Sequence, residues 1–352
     1  MTELVVTNLD RRYTGVSATS AAVVRLQAAR HAMVLAGHPL PGCPDPVTLT
    51  EARTLTRSPP EGRRAAIWHT RRAAEMRAGL VARDLLGLPI RLVHTVAAPR
   101  PGSPLDRWML RRMDALIATT PEAADLLPRP ATVVPHGIDT ERWRPAADRA
   151  AAWGQTGHGG ARGIACVGGI RGQKGTDRFV EACVEVLPRH PDVTALVIGG
   201  VAPGDAAFAE KLRETVRAAG LGGRILFLGE VPSERMPDLV RGLDLLVALP
   251  RYEGFGVAPL EAMASGVPFL ATAAGHYREI AHDGTAGRIV ARDAAAGALD
   301  AMLSDPAALA AMGATARARA VADHGVAAEV AGIERVYEAV WAGRSARARS
   351  AS

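Results

Sequence analysis

Glu253 and Glu261 are separated by the seven residues Gly254-Phe255-Gly256-Val257-Ala258-Pro259-Leu260. Two carboxylates so spaced across a loop-to-helix junction can each accept hydrogen bonds from sugar hydroxyls, one on either side of a phosphate seated between them. Gly254 and Gly256 let the backbone approach a ligand. Pro259 is placed to open a helix, whose free N–H groups favour an anion. Glu261 is then expected in the first helical turn, where a glutamate would also stabilise an ordinary helix. The full string is more specific than a capped helix requires.

A second string, Gly168-Gly169-Ile170-Arg171-Gly172-Gln173-Lys174-Gly175-Thr176-Asp177, stands between an apolar run ending at Val167 and a helical pattern through Phe179 and Val180. Glycines with one arginine and one lysine at a strand-to-helix turn make an anion cradle. The spacing GxxxxGK[ST] is absent, so this is not a Walker loop. Lys174 stands out because 42 residues are Lys or Arg and only Lys174 and Lys211 are lysines. A surface lysine opening a helix is the plainer alternative, and the paired carboxylates downstream argue against it.

Loops of this kind need strands to hold them. Short β-rich runs alternate with helical patterns along the chain, the mark of βαβ units and a parallel sheet. Strands are expected at Glu3 to Thr7, Ala65 to His69, Ile90 to Thr95, Ala115 to Thr119 and Thr132 to Pro135. A second block repeats the rhythm at Gly163 to Val167, Val193 to Ile198, Arg224 to Leu228, Leu243 to Ala248 and Pro268 to Ala271. The Pro-rich stretch Pro39 to Gly62 has no clear period and is expected to be irregular. The stretch His136 to Arg162, Gly-rich at its end, is expected to link the blocks. Beyond Asp293 the pattern is helical, and Val326 to Trp341 has apolar residues at helical spacing. The expected architecture is therefore α/β, with domains at 1–145 and 146–325 and a helix and tail at 326–352 packing back on the N-terminal domain. Ligands of such sheets bind at the carboxyl ends of strands.

Composition narrows the class. A chain of 352 residues favours two domains. Hydrophobic residues at 48% and charged residues at 22% exclude disorder. The net charge of +6, carried by scattered arginines, excludes a lysine-rich nucleic-acid tail but leaves room for an anionic partner. Cys43, Cys166 and Cys183 form no CxxC pair, which argues against a disulfide framework or zinc site and for a reducing cytoplasm. Neither a secretory leader nor a stretch of about 18 apolar residues is evident.

The two strings, in this order, resemble the retaining glycosyltransferases of family 4, which have the GT-B fold of two Rossmann-like doubly wound domains facing a cleft. The resemblance covers most of the chain. It implies that Glu253, the first glutamate of an E-x7-E motif, contacts the donor sugar, that Glu261 contacts the nucleotide ribose, and that Lys174 contacts the diphosphate. Gly254, Phe255, Gly256, Pro259 and Leu260 are expected in the same donor site. His94, after the strand Ile90 to Val93, matches a histidine placed beside the sugar and the attacking hydroxyl. Gly15, in Arg11-Arg12-Tyr13-Thr14-Gly15-Val16-Ser17-Ala18-Thr19, matches a glycine loop at the donor phosphate; a plain turn before a cap at Ser17 or Thr19 is the alternative. Glu230 and Val231 sit where relatives read the base edge, without distinguishing guanine from uracil. One position departs: the family arginine five residues before the lysine is Gly169 here, and Arg171 is expected to replace it in part.

More narrowly, the strings Arg11 to Thr19, Ile67-Trp68-His69-Thr70-Arg71-Arg72-Ala73-Ala74-Glu75-Met76 and Arg111-Arg112-Met113-Asp114-Ala115-Leu116-Ile117-Ala118-Thr119-Thr120 are similar to bacterial lipopolysaccharide core mannosyltransferases, which transfer mannose from GDP-mannose to an inner-core Kdo sugar. An acceptor bearing carboxylates and phosphates suits arginine pairs at strand ends, since guanidinium forks bind both bidentately. Arg71 and Arg72 are the acceptor candidates; a solvated helix start is the plainer reading of each. No Asp-x-Asp pair occurs, so the resemblance implies transfer with neither metal nor cofactor. The expected partners are a nucleotide-sugar donor and an anionic glycolipid or glycan at the cytoplasmic face of the inner membrane, with no nucleic acid. Three alternatives stay open: a UDP-sugar with another glycan or lipid acceptor, a sugar-nucleotide epimerase, and an inactive sugar-nucleotide-binding protein.

Overall fold

The structure, a computed structural model, describes residues 1–96 and 103–344. The expected tail at 345–352 lies outside the described residues. The chain divides into two compact units, Met1–Gly137 with Val326–Ser352, and Ile138–Gly325.

The first unit holds six parallel strands, β1 (Leu4–Asn8), β2 (Met33–Gly37), β3 (Ala66–Thr70), β4 (Ile90–Val96), β5 (Ala115–Ala118) and β6 (Thr132–Val133), in the order β2-β1-β3-β4-β5-β6. The second holds β7 (Arg162–Val167), β8 (Val193–Ile198), β9 (Ile225–Gly229), β10 (Leu245–Ala248), β11 (Phe269–Thr272) and β12 (Gly287–Val290), in the order β12-β11-β10-β7-β8-β9. Helices cover both faces of a parallel sheet, so its strands are apolar without alternation. Every residue of β1 and of β8 is buried. In each unit the chain starts inside the sheet and winds outward to one side, then to the other. The direction reverses between β1 and β3, and between β7 and β10. Loops leaving the carboxyl ends of two such strands part to either side and open a crevice.

The helix Val326–Trp341 belongs to the first unit. It buries Val330, Ile333, Val336 and Tyr337 against Leu4, Val6, Ile67 and Val93 of the sheet and Val23 and Val24 of the Gly15–Gln27 helix. Polar ties fix its register. The Tyr337 hydroxyl lies 2.5 Å from His69 Nδ1, whose other nitrogen meets Thr95 Oγ1 at 2.7 Å. Burial, with Arg71 and His94 nearby, holds His69 far below the usual imidazole range, so it is a neutral core group. Buried Glu329 accepts from Gly137 N at 2.9 Å and meets His136 Nδ1 at 2.8 Å, fastening the start of the helix to the end of the sheet's chain.

Several elements differ from the sequence expectation. Strands β2 and β12 were not anticipated: Met33–Gly37 follows closely on a helix, and Gly287–Val290 carries an arginine. The Pro39 to Gly62 stretch contains a helix, Leu49–Leu55, started by a capping box in which Thr48 and Glu51 bond reciprocally. The expected linker is largely part of the second unit, where Trp143 and Trp153 are buried. A Cβ at Gly163 would stand 2.2 Å from the Trp153 ring, so β7 can run beneath that indole only with a glycine there. Among the described residues no helix is long and apolar enough to cross a membrane.

Candidate active site

In the second unit the two glycine strings leave β7 and β10, the strands flanking the reversal. Gly175 lets their loops touch. It has φ +70°, and a Cβ there would fall 1.8 Å from the Leu249 carbonyl oxygen, so only glycine fits. Arg251, which sequence reasoning passed over, ties the same loops: its N–H donates to the Gln173 carbonyl at 2.9 Å, and its guanidinium grips the Asp177 carboxylate at 2.8 and 2.6 Å. An arginine just beyond a strand, opposite an aspartate at a helix start, was the available signal. On this frame Lys174 Nζ lies 2.5 Å from Glu253 Oε2, and Glu253 Oε1 accepts the Gly254 N–H at 2.9 Å. Both side chains are only partly buried, with exposures of 25% and 16%.

Gly256, at φ +93°, caps the helix Val257–Ala264. A Cβ there would sit 2.0 Å from the Tyr277 ring. The left-handed glycine starts the helix at Val257, two residues before Pro259, so Glu261 falls in the second turn and not the first as expected. The N–H groups of Val257 and Ala258 belong to the first turn and have no partner within the helix. Phe255 is buried and stacks on His276, ring centroids 5.0 Å apart. Pro259 and Leu260 are buried, and the Leu260 side chain is part of the core, which confines any donor contact of Leu260 to its backbone. Glu261 keeps some surface, yet its surroundings push its carboxyl up to about 7; Arg142 acts in the opposite sense.

Glycines also stack the neighbouring loops. A Cβ at Gly199, after β8, would lie 2.0 Å from the Gly168 carbonyl oxygen, and one at Gly200 would lie 2.3 Å from the Glu230 carboxylate. Glu230 thus folds over the β8 loop beside the Gly168 turn. Glu230 and Val231 also border a broad hollow lined by Pro232, Arg235, Ala151 and Gln155. That hollow touches none of Lys174, Glu253 and Glu261, so it is not the crevice of the strand reversal. Arg171 is exposed, and among the described residues its side chain makes no hydrogen bond or ion pair; its carbonyl accepts the Lys174 N–H at 3.0 Å. Nothing in this arrangement ties Arg171 to Lys174 or Glu253 as a substitute guanidinium.

In the first unit the reversal lies between β1 and β3, and Arg72 bridges it. Its Nη1 donates to Asn8 Oδ1 at 3.0 Å and Glu75 Oε1 at 3.3 Å, and its Nη2 to Thr14 Oγ1 at 3.2 Å and Ser17 Oγ at 2.9 Å. Glu75, wholly buried, accepts further from Thr7 Oγ1 and from the N–H groups of Leu9, Arg71 and Arg72. Both charges are spent on the loops. Arg72 is held as a strut between these loops, with 19% of its side-chain surface left open. Glu75 was the unread signal: a glutamate at the third position of a helix bonds back to its start. The helix Gly15–Gln27 begins one residue after Thr14, so neither Ser17 nor Thr19 is its cap. A Cβ at Gly15 would meet nothing within 4 Å.

His94 lies inside β4, which continues to Val96, and not in the loop beyond it. It is buried, and Thr70 Oγ1 meets its Nδ1 at 2.8 Å. Burial, with Arg71 next in effect, pushes the imidazole down to about 3, so it is neutral at physiological pH. Arg71 itself is 8% exposed, and its Nε and Nη1 are buried without a hydrogen-bond partner.

Two doubly wound parallel units and one returning helix are the architecture of GT-B glycosyltransferases. The family model for glycosyl transferases group 1 matches residues 155–319. The lipopolysaccharide core biosynthesis mannosyltransferase LpsB of Rhizobium meliloti is 39% identical over 96% of this chain and 97% of its own. LpcC of Rhizobium leguminosarum bv. viciae, of the same description, is 38% identical over 96% of each chain. The crystal structure of Anabaena HepE in complex with UDP and glucose matches with a TM-score of 0.79 at 16% identity, covering 96% of this chain and 100% of its own, a likeness of fold. The chain belongs to the glycosyl transferases group 1 family and is a glycosyltransferase.

Proposed function

We propose that the protein transfers mannose from GDP-mannose to an inner-core Kdo sugar of lipopolysaccharide, retaining the anomeric configuration, as a member of glycosyltransferase family 4. The observation that carries this reading is the Lys174–Glu253 pair at the β7/β10 reversal, in a chain 39% identical over 96% of its length to a lipopolysaccharide core mannosyltransferase. The reaction is placed at the cytoplasmic face of the inner membrane, where the protein is peripheral.

Breaking the bond from the anomeric carbon to phosphate leaves charge on the diphosphate, and groups aimed at it in advance lower the barrier most. Lys174, the loop amides that no backbone carbonyl takes (those of Gly168, Ile170, Lys174 and Gly175 are already engaged) and the free N–H groups of Val257 and Ala258 take that role, with no metal. Donor binding divides the Lys174–Glu253 pair: the ammonium turns to the diphosphate, while Glu253 accepts from mannose hydroxyls and orients the ring. The acceptor hydroxyl attacks from the leaving-group face. Its oxygen bonds to the anomeric carbon, the carbon–phosphate oxygen bond breaks, and the hydroxyl proton passes to the departing phosphate oxygen, leaving GDP. Glu261 accepts from the ribose, and Glu230 and Val231 flank the base; for His94 and Gly15 of the first unit the proposed roles are those that the family resemblance implies. A donor panel tests the reading: nucleotide release from GDP-mannose, and not from UDP-sugars, that depends on a Kdo-bearing lipid A.

A further inference from the structure

An arginine removed from water is costly unless its charge and its N–H groups are met. Arg71 is 8% exposed, with Nε and Nη1 both buried and unpartnered. The carboxylate nearest in sequence is Glu75, and it is committed to the guanidinium and N–H of Arg72, to Thr7 Oγ1 and to the N–H groups of Leu9 and Arg71. It takes from Arg71 only the backbone N–H, at 2.7 Å. No ion pair of Arg71 exists among the described residues, and neither 97–102 nor 345–352 contains an aspartate or glutamate side chain. The buried rings that feel its charge, His69, His94 and Tyr337, carry no negative charge: burial holds both imidazoles neutral and keeps the phenol protonated. Its neighbour Arg72 satisfies Asn8, Thr14, Ser17 and Glu75 and is held at the β1/β3 reversal. Two adjacent arginines thus have opposite conditions, one fully engaged and one buried with nothing to bind.

We propose that Arg71 is the receptor for the acceptor's carboxylate, so that the enzyme selects a sugar acid over the matching neutral sugar, and that Arg72 only positions the loop beside it. This rests on the acceptor reading given above. The planar guanidinium matches a carboxylate with two parallel N–H···O bonds, which a lysine cannot reproduce. The charge is paired only when acceptor is bound, so binding energy is reserved for acceptors that bring an anion. A phosphate on the acceptor carries the same chemistry, and the substrate pair below separates the two sources.

The test uses the full chain and a Kdo glycoside acceptor free of phosphate, with its carboxylate intact or converted to the carboxamide. Wild type is expected to favour the carboxylate in kcat/KM by ~10- to 100-fold, the worth of a hydrogen-bonded charge pair. In Arg71→Met and Arg71→Lys the preference is expected to collapse towards unity in the first and to weaken in the second. A preference that survives in Arg71→Met, or a wild type indifferent to the carboxylate, overturns the proposal. A second readout does not depend on turnover. A structural arginine destabilises the fold when removed, whereas a buried unpaired charge does not, so Arg71→Met is expected to melt no lower than wild type. Melting of wild type, but not of Arg71→Met, is expected to rise with added carboxylate acceptor and not with its carboxamide. If wild type transfers to neither acceptor, the function reading is what fails, and the melting shifts still decide Arg71: equal shifts in both proteins, or none in either, overturn it.

Discussion

Replacing Lys174 with methionine separates a structural ion pair from a catalytic cation. The pair it forms with Glu253 is short, 2.5 Å, but the two side chains keep 25% and 16% of their surface. A pair in that setting contributes roughly 0.2 to 1 kcal/mol to stability. For a unit of this size such a loss lowers the melting temperature by about 4 °C at most. Glu253 also keeps its bond from the Gly254 N–H, so it is not stranded. Against this, losing one donor aimed at developing charge costs about 3 to 4 kcal/mol in the transition state, a fall of ~10²- to 10³-fold in kcat. The assay is steady-state release of GDP with acceptor present, alongside thermal melting followed by circular dichroism. A second measurement repeats the substitution in a Glu253→Gln background. If Lys174 served only to hold Glu253, its loss there would be silent; stabilisation of the diphosphate predicts a further fall of at least ~10-fold. A kcat within threefold of wild type, or silence in the Glu253→Gln background, refutes the assignment.

Gly175→Ala places a methyl 1.8 Å from the Leu249 carbonyl oxygen at φ +70°, and strain plus clash amount to about 3 kcal/mol or more; a melting curve matching wild type would show that the loops are not locked there. Glu261 is pushed up to about 7 by burial, so it ionises near neutrality; kcat/KM for the donor is expected to rise with pH through that value in wild type, and a limb that persists in Glu261→Gln belongs to another group. Buried His94 has its folded-state value depressed from 6.5 to about 3, so its share of stability is intact above 6.5 and is lost as pH falls through 3, on the order of 5 kcal/mol in all. Urea titrations of His94→Gln between those limits are expected to show a shallower acid loss than wild type, with His69 still contributing; identical slopes would contradict the buried neutral imidazole.

The meeting of Lys174 with Glu253 was legible because its frame is written in glycines. Gly175 and Gly256 stand where a Cβ would strike Leu249 and Tyr277, and the lysine and glutamate on their loops are the groups that meet. The core strands were legible for a related reason, since β1, β3, β7, β8 and β10 are apolar runs that nothing else explains. What sequence could not show depends on partners far along the chain. Arg71 and Arg72 are adjacent and alike in sequence; only Asn8 and Ser17, 64 and 55 residues away, decide which is held. Glu261 fell in the second turn because the helix starts at Val257, two residues before Pro259, after a left-handed glycine that sequence alone does not place. Strands β2 and β12 escaped because Met33–Gly37 follows closely on the end of a helix and Gly287–Val290 is interrupted by Arg288. Arg251 was hidden because its role depends on the β7 loop lying beside β10.

The identity of the reaction is decided by supplying a panel of nucleotide sugars to the purified protein with Kdo-bearing lipid A and resolving the glycolipid product and its anomeric configuration. Addition of one mannose from GDP-mannose is expected, α-linked as in the donor, with turnover undiminished by EDTA. Transfer from a UDP-sugar alone, a β-linked product, or GDP-mannose consumed without any change in the acceptor would contradict it.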